Sequence, residues 1–262
     1  VCDDPVAYFH SGLEHLLASL LGAVTPFCSC SSIPIFIGFL KGGIPLGVTL
    51  SFLITSPLVN EIAVVLFIGI FGVKVTIYYV VAGILTGSIV GLVLGKLGLE
   101  RYLAEWVQEQ LKEKIALAQV EDNRTLSQRL PEIRDEALDI FHRVLPYVIG
   151  GIAIGALIHG LVPSEQIEPY MSRDNIWAIP ASTLFAIPIY SSASGVVPVI
   201  QTLVSKGVPI GTALAFMMGV VGLSFPEAVL LKKVMQAKLI AIYFGAVATA
   251  IMAIGYLFNL LI

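Results

Sequence analysis

Long apolar runs occupy most of this chain, and they decide what it can fold into. A helix that crosses a lipid bilayer needs about 20 mostly apolar residues. Four stretches are long and apolar enough, namely residues 46–70, 74–98, 143–163 and 236–262, and a fifth, 208–231, qualifies with one interruption. We therefore predict an all-α integral membrane protein, because a chain in lipid must satisfy its backbone groups internally.

The composition excludes a soluble fold. Hydrophobic residues make up 57% of the 262 residues and charged residues only 13%, whereas a soluble domain carries about 25% charged residues. Such a chain could not cover its surface in water, so the lipid bilayer is its predicted partner. The net charge of −3 and the lack of a basic tract argue against nucleic acid as a partner. No nucleotide-binding or zinc-protease motif occurs in the sequence, so we predict neither an enzyme nor a cofactor.

Two further apolar stretches contain proline and small polar residues near their middle. Residues 13–40 include the run TPFCSCSSIP at 25–34, and residues 176–204 include the run IPIYSSASG at 187–195. Proline removes a backbone donor and disfavours helix at the residue before it. Each stretch is therefore predicted to form two short helices joined by irregular backbone. Lipid tolerates such backbone only where protein or a water-filled cavity surrounds it.

The two broken stretches belong to an internal repeat. The shift that brings Pro34 onto Pro198 superposes 34–52 on 198–216 with six identities in 19 positions. When two residues are inserted in the second copy, the alignment continues and brings Glu61 opposite Glu227. Halves with matching glycine and proline interruptions are typical of secondary transporters.

The distribution of positive charge favours inverted over parallel repeats. Membrane proteins keep most of their Lys and Arg on the cytoplasmic side. If both broken stretches turn back as re-entrant hairpins, 12 of the 15 Lys and Arg lie on the side of the charged segment 99–142; if they cross the membrane, only nine do. We therefore predict two inverted repeats, each with a re-entrant broken-helix hairpin followed by membrane-spanning helices. The first repeat covers 1–98, and the second covers 143–262.

The segment 99–142 is predicted to be a cytoplasmic linker. Its first part has apolar residues at helical spacing, which predicts a helix along the membrane interface. These residues are Leu99, Tyr102, Leu103, Trp106 and Val107. The span 143–163 has no counterpart ahead of the first hairpin, so the repeat also predicts an N-terminal helix upstream of Val1, or one from a separate segment.

The two hairpin tips form the predicted binding site for a small solute. Cys28 and Cys30 could together hold one soft metal or arsenic(III) centre, because thiolates prefer soft acceptors. The alternative is that they are apolar fillers, the commoner role of isolated cysteines in membrane helices. The second tip offers hydroxyl groups but no thiol, so any soft-ligand site is asymmetric. The predicted solute contacts are Cys28, Ser29, Cys30, Ser31, Ser32, Tyr190, Ser191, Ser192 and Ser194.

Three polar residues are candidates for binding a coupling ion: Asn60, Glu61 and Glu227. A carboxyl group within the membrane is costly unless it faces a cavity or a partner, so it marks a functional site. Glu61 and Glu227 are therefore candidate proton carriers. The alternative is that they interact with helix N-termini exposed by the breaks at Pro57 and Pro226.

The residues around the first hairpin resemble a known family. The runs GAVTPFCSCSSIP at 22–34, GIPLG at 43–47 and FLITSP at 52–57 are similar to the predicted permeases of the YraQ type, which include the organoarsenical efflux permeases. The resemblance implies a multi-pass permease of the inner membrane. For the arsenical branch it implies export of trivalent organoarsenicals through the thiols at Cys28 and Cys30. The second repeat departs from that chemistry if export needs a thiol there as well.

We therefore predict a secondary transporter that exports a small soft-ligand solute, such as a trivalent organoarsenical, with coupling to protons. A passive channel with a filter at the hairpin tips is the alternative, and a response of transport to a proton gradient distinguishes the two. A thiol–disulfide enzyme using Cys28 and Cys30 is disfavoured, because one intervening residue is an unusual redox spacing. The sequence leaves a homo-oligomer open and does not identify the solute.

Overall fold

The computed structural model describes residues 12–25, 29–109, 177–189 and 193–261, together with the single positions 138, 142, 146 and 149. Within these residues the chain is helical, apart from turns and one isolated bridge. The first half contains α1 (Gly12–Val24), α2 (Ser29–Lys41), α3 (Leu46–Leu58) and α4 (Glu61–Lys96), followed by a short 3-10 helix (Leu99–Tyr102). The second half contains α5 (Ala178–Ala186), α6 (Ala193–Ser205), α7 (Ile210–Gly222), α8 (Phe225–Leu231) and α9 (Ala237–Leu261). The predicted span 143–163 and most of the linker lie outside the described residues.

Two helices, α3 and α7, form the centre of the molecule. Each follows a proline in extended conformation, with φ −56° and ψ 145° at Pro45 and φ −58° and ψ 140° at Pro209. All 13 residues of α3 are buried, and so are 11 of the 13 residues of α7. A helix that is apolar around its whole circumference needs cover on every side. That cover comes from α1, α2 and α4 around α3, and from α5, α6 and α9 around α7.

A glycine with positive φ closes the turn that precedes each central helix. Gly43 has φ 84° and Gly207 has φ 97°, a region that favours glycine because it lacks a Cβ atom. In both turns the residue after the glycine donates its amide hydrogen to the carbonyl five positions earlier, at 3.0 and 3.1 Å. The repeat shift places Gly43 on Gly207, so the same local geometry recurs at equivalent positions of the two copies.

Helix α4 folds back on itself at Gly72. This glycine has φ 80° and ψ 167°, which no α-helix contains. On either side of it, the rings of Phe67 and Tyr79 stack with their centroids 4.8 Å apart. Residues at this separation in a straight helix would be about 18 Å apart. The arm 61–71 therefore returns along the arm 73–96.

Three helices in the described part of the chain are long and apolar enough to cross a membrane: Glu61–Lys96, Ile210–Leu231 and Ala237–Leu260. The first contains the fold at Gly72, and the second joins α7 to α8 across a short break. An apolar stripe follows the outer face of α4, where lipid can cover it. It consists of Ile62, Val65, Val73, Ile77, Val81, Leu85, Ile89 and Val93.

The first residues after α4 pack on the turn between α8 and α9. The amide of Ala104 donates to the Val234 carbonyl at 2.8 Å, and the indole of Trp106 donates to the Lys233 carbonyl at 2.9 Å. Several of the apolar residues predicted to lie along the membrane interface are buried here, namely Leu99, Leu103 and Val107. Protein covers this apolar face, and the interfacial position of the rest of the linker stays a prediction.

Candidate functional site

The two central helices end against each other. Gly222 is the last residue of α7, and a Cβ atom there would lie 3.3 Å from Cδ2 of Leu58, the last residue of α3. The chain then leaves helical geometry at 59–60 and at 223–224, which we call the central breaks, before α4 and α8 begin. Breaks inside a membrane protein expose backbone polar groups that can hold a polar ligand. The candidate site is therefore the region where the central breaks meet.

Asn60 and Glu61 stand at the first central break. The side-chain oxygen of Asn60 accepts a hydrogen bond from the Ile62 amide at 2.8 Å, the usual role of a helix N-cap. Glu61 is exposed and occupies the first turn of α4, where the helix dipole favours a negative charge. The helix-terminus interpretation therefore accounts for both residues, and a coupling role for either stays a prediction.

Glu227 lies in a different environment at the second central break. Its side chain is 2% exposed, and neither carboxylate oxygen has a hydrogen-bond partner among the described residues. It is the third residue of α8 after the N-cap Ser224, which is the spacing of a capping box. In a capping box the carboxylate accepts from the N-cap amide, but that bond is not formed here. Buried polar groups are normally hydrogen-bonded, so helix capping does not explain Glu227.

Each half also buries a tyrosine at equivalent positions. In the second half, Tyr243 of α9 is 1% exposed. The equivalent tyrosine of the first copy, Tyr79, donates its hydroxyl hydrogen to the Leu58 carbonyl at the end of α3. Sequence reasoning missed both tyrosines. The repeat shift places one on the other, so extending that shift beyond residue 52 would have found them.

The helix starts correct the predicted pairing of the two glutamates. The repeat shift, applied without any insertion, already places the N-cap Asn60 on the N-cap Ser224. Glu227 therefore corresponds to Ala63, and not to Glu61. The prediction that the two glutamates are equivalent is wrong, because one is the first residue of its helix and the other is the third.

Helix α2 carries the described part of the first hairpin tip. Ser29 and Cys30 begin the helix, and Ser31 follows them in the first turn. Ser32 is buried, and its hydroxyl oxygen lies 2.8 Å from that of Ser56 on α3. This hydrogen bond holds the start of α2 beside the end of α3, close to the first central break.

The second hairpin tip is joined to the second central break. The Phe225 amide donates to the Ile187 carbonyl at 2.9 Å, which ties the start of α8 to the end of α5. Ser194 lies in the first turn of α6. The other predicted solute contacts, Cys28, Tyr190, Ser191 and Ser192, lie outside the described residues.

The packing of α8 against α2 brings Glu227 and the first hairpin into one region. Both helices begin near the central breaks, α2 through the Ser32 bond and α8 through its N-cap. Among the described residues, no group of three or more His, Cys, Asp and Glu side chains could hold a metal ion. The predicted soft-metal pair includes Cys28, so it lies partly outside the described chain and stays a prediction.

Buried broken helices and long apolar helices with a lipid-facing stripe define a multi-pass helical membrane protein. A buried carboxyl group at its centre is a feature of proteins that move solutes or ions. The chain belongs to a family of predicted permeases: the family model ArsP_1, described as a predicted permease, matches residues 6–260.

Two relatives, one from an archaeon and one from a bacterium, match most of this chain at low identity. The UPF0718 protein MJ0584 of Methanocaldococcus jannaschii is 21% identical over 313 residues, which cover 98% of this chain and 86% of that protein. The UPF0718 protein YraQ of Escherichia coli is 22% identical over 244 residues, which cover 92% of this chain and 66% of that protein. No solved structure matches the chain. The predicted membership of a YraQ-type permease family is confirmed, and it favours a transporter over an enzyme.

Proposed function

We propose that this protein is a secondary transporter of the inner membrane that exports a small soft-ligand solute, such as a trivalent organoarsenical. One observation carries the proposal. In a predicted permease, the Glu227 carboxyl group is buried at the central breaks and has no hydrogen-bond partner among the described residues. A transporter must hold a polar solute or ion within the membrane, and broken helices with an acidic group provide such a place.

The directions of the central helices support two inverted repeats. The start of α3 meets the end of α4, because a Cβ atom on Gly47 would lie 2.6 Å from the Cα atom of Gly95. The start of α7 meets the end of α9, because a Cβ atom on Gly211 would lie 2.8 Å from the Asn259 amide. Residues 101–106 follow α4 and contact the turn where α9 begins. Equivalent helices therefore start from opposite sides of the molecule.

The positions of basic residues support the same arrangement. The Tyr102 ring lies 4.9 Å from the Arg101 guanidinium carbon and 5.8 Å from the Lys238 ammonium nitrogen. The Gln236 amide donates to the Tyr102 carbonyl at 2.8 Å. Arg101 and Lys238 thus share one side, whereas parallel repeats would separate them. By the positive-inside rule that side faces the cytoplasm.

Contacts with α3 support a re-entrant first hairpin. As α1 runs from His15 to Gly22, its contacts on α3 advance from Gly47 to Ser56. As α2 runs from Ser32 to Phe39, its contacts on α3 go back from Ser56 to Phe52. These opposite directions of α1 and α2 along α3 are those expected of a re-entrant hairpin.

In the proposed mechanism the hairpin tips bind the solute and an acidic group couples its movement to protons. The thiols of Cys28 and Cys30 bind an arsenic(III) centre, because soft acceptors prefer sulfur. Hydroxyl groups surround the solute, from Ser29, Ser31 and Ser32 at the first tip and from Tyr190, Ser191, Ser192 and Ser194 at the second. Asn60 and Glu61 border the site, and lipid surrounds the whole.

Flux of a trivalent monomethyl arsenical tests the proposal. The protein is reconstituted in liposomes and assayed with and without a pH gradient, as wild type and as Cys28→Ser/Cys30→Ser. Cys2→Ser is the matched control, because it removes a thiol outside the predicted tip. We expect gradient-driven flux in the wild type and the control, and its loss in the double variant.

The other outcomes of this assay are equally informative. Flux that ignores the pH gradient would favour the passive channel with a filter at the hairpin tips. Flux that survives in the double variant would remove the thiols from the mechanism. No flux in any variant would overturn the arsenical assignment and leave only the family.

A further inference from the structure

We propose that Glu227 is the proton-binding site of the transporter. This inference rests on the proposed transport function and adds the residue that binds the coupling proton. It starts from geometry. Glu227 is buried beside the second central break, and among the described residues neither of its oxygens has a hydrogen-bond partner.

Burial determines what the Glu227 carboxyl group can carry. A carboxylate moved out of water loses its hydration, and without a counter-ion or hydrogen bonds the protein does not replace it. The group therefore keeps a proton while it is enclosed. When water reaches it, the O–H bond breaks, the electron pair stays on the carboxylate oxygen and the proton passes to water. On the opposite side of the membrane water supplies the proton again.

The surroundings of Glu227 favour a proton over a metal cation. Mg²⁺ and Ca²⁺ take six or more oxygen ligands, and the described residues contain no cluster of acidic, His or Cys side chains. Helix α2 packs against α8, and Lys41 at its C-terminal end is a cation. A single carboxyl group outside any such cluster is a poor metal site and a sufficient proton site.

The first half of the chain has no carboxyl group at the position equivalent to Glu227. That position is Ala63, which is completely buried. The two halves therefore differ at this point, and we expect the proton to bind in the second half.

Infrared difference spectroscopy tests proton binding without any solute. The protein in lipid nanodiscs is compared between acidic and alkaline pH, and the carbonyl band of a protonated carboxylic acid is followed. We expect a component of this band that Glu227→Gln removes and Glu61→Gln retains, because the other carboxyl groups contribute to the band in every variant. A difference band that is the same in Glu227→Gln and in the wild type would overturn the inference. Glu227→Ala, which introduces the residue of the equivalent position, serves if the Gln variant does not fold.

Transport assays separate the failure of this inference from the failure of the proposed function. Exchange of a trivalent monomethyl arsenical between equal pools needs a working permease but no net proton movement. We expect Glu227→Gln to retain exchange and to lose gradient-driven accumulation by about tenfold or more. Undiminished accumulation would overturn the proton site and keep the transporter. Absence of exchange in the wild type would overturn the transporter, and the infrared band would still decide the proton site.

Discussion

At the scale of single residues, a polar contact in the first half is replaced by apolar packing at the equivalent place in the second half. In the first half the His15 ring nitrogen Nδ1 lies 2.9 Å from the Ser51 hydroxyl oxygen, between α1 and α3. The equivalent residues of the second half are Ile179 and Ala215, which meet at Gly255: a Cβ atom there would lie 3.1 and 3.0 Å from them. Apolar packing therefore suffices at this junction in the second half.

A double substitution tests whether the polar pair is needed for packing. Ser51→Ala alone deprives His15 of this hydrogen bond and should cost about 1–3 kcal/mol. His15→Ile/Ser51→Ala introduces the pair found in the second half and should recover most of that loss, because both partners are replaced together. Thermal unfolding of the purified variants measures the difference. A double variant that is less stable than Ser51→Ala would show that His15 has a structural role of its own.

The glycines of α4 permit close helix contact at specific positions. A Cβ atom on Gly91 would lie 2.8 Å from the Gly47 carbonyl oxygen and would also collide with the Ser51 hydroxyl. Gly91→Ala should therefore lower the free energy of unfolding by about 1–3 kcal/mol through overpacking. Gly38→Ala, where no atom lies within 4 Å, is the control and should stabilise its helix by up to about 1 kcal/mol. Equal melting temperatures would contradict the tight contact.

At the scale of helices, some breaks were predictable from sequence because they have local causes, but the stretch 46–70 does not form the one span predicted, since its helix ends at Leu58. Proline and glycine act on the backbone within a few residues. The predicted irregular segment at 187–195 overlaps the observed end of α5. Likewise, the gap between the apolar stretches 46–70 and 74–98 contains Gly72, where α4 folds back.

Features that depend on the partner of a helix were not predictable from sequence. The apolar spacing around Leu103 and Trp106 indicates one apolar face, but the pattern is the same whether lipid or protein covers it. The burial of Glu227 without a hydrogen-bond partner among the described residues has no local signature either. The capping-box spacing even favours a bond that the structure does not contain.

The fold in α4 gives a test at this scale. Gly72 has φ 80° and ψ 167°, a conformation that only glycine adopts without strain. Gly72→Ala should therefore destabilise the protein by about 1–3 kcal/mol. Gly69→Ala lies in the same helix with open space around it and should be neutral or slightly stabilising. Thermal unfolding compares the two, and an unaffected Gly72→Ala would contradict the fold-back.

At the scale of the whole molecule, the halves are joined by contacts that come in equivalent pairs. Helix α8 packs against α2, and α4 packs against α6. In the repeat, α8 corresponds to the first arm of α4, and α6 corresponds to α2. The two contacts therefore join equivalent pairs of helices, with each half contributing the other member of the pair. The ends of α3 and α7 meet between them, at Leu58 and Gly222. Such packing supports a pseudo-two-fold axis through the candidate site.

The proposed inverted arrangement predicts from which side each turn can be labelled. Single cysteines replace Lys96, Lys206 or Lys232, all of them exposed, in a background where the natural cysteines are serine. A membrane-impermeant maleimide should reach Lys96→Cys and Lys232→Cys from the cytoplasmic side and Lys206→Cys from the opposite side. Labelling of Lys96→Cys and Lys232→Cys from opposite sides would favour parallel repeats.

The contact between the start of the linker and the turn between α8 and α9 can form only late in biosynthesis. Ala104 emerges from the ribosome well before its partner Val234, because the whole second repeat up to α8 is synthesised between them. At ordinary rates of translation, Val234 is synthesised about 7–26 s after Ala104. Throughout that interval Leu103 and Trp106 lack the cover they have in the finished protein. A chain truncated before Lys233 would lack the partners of Ala104 and Trp106 and would leave this apolar face without its cover.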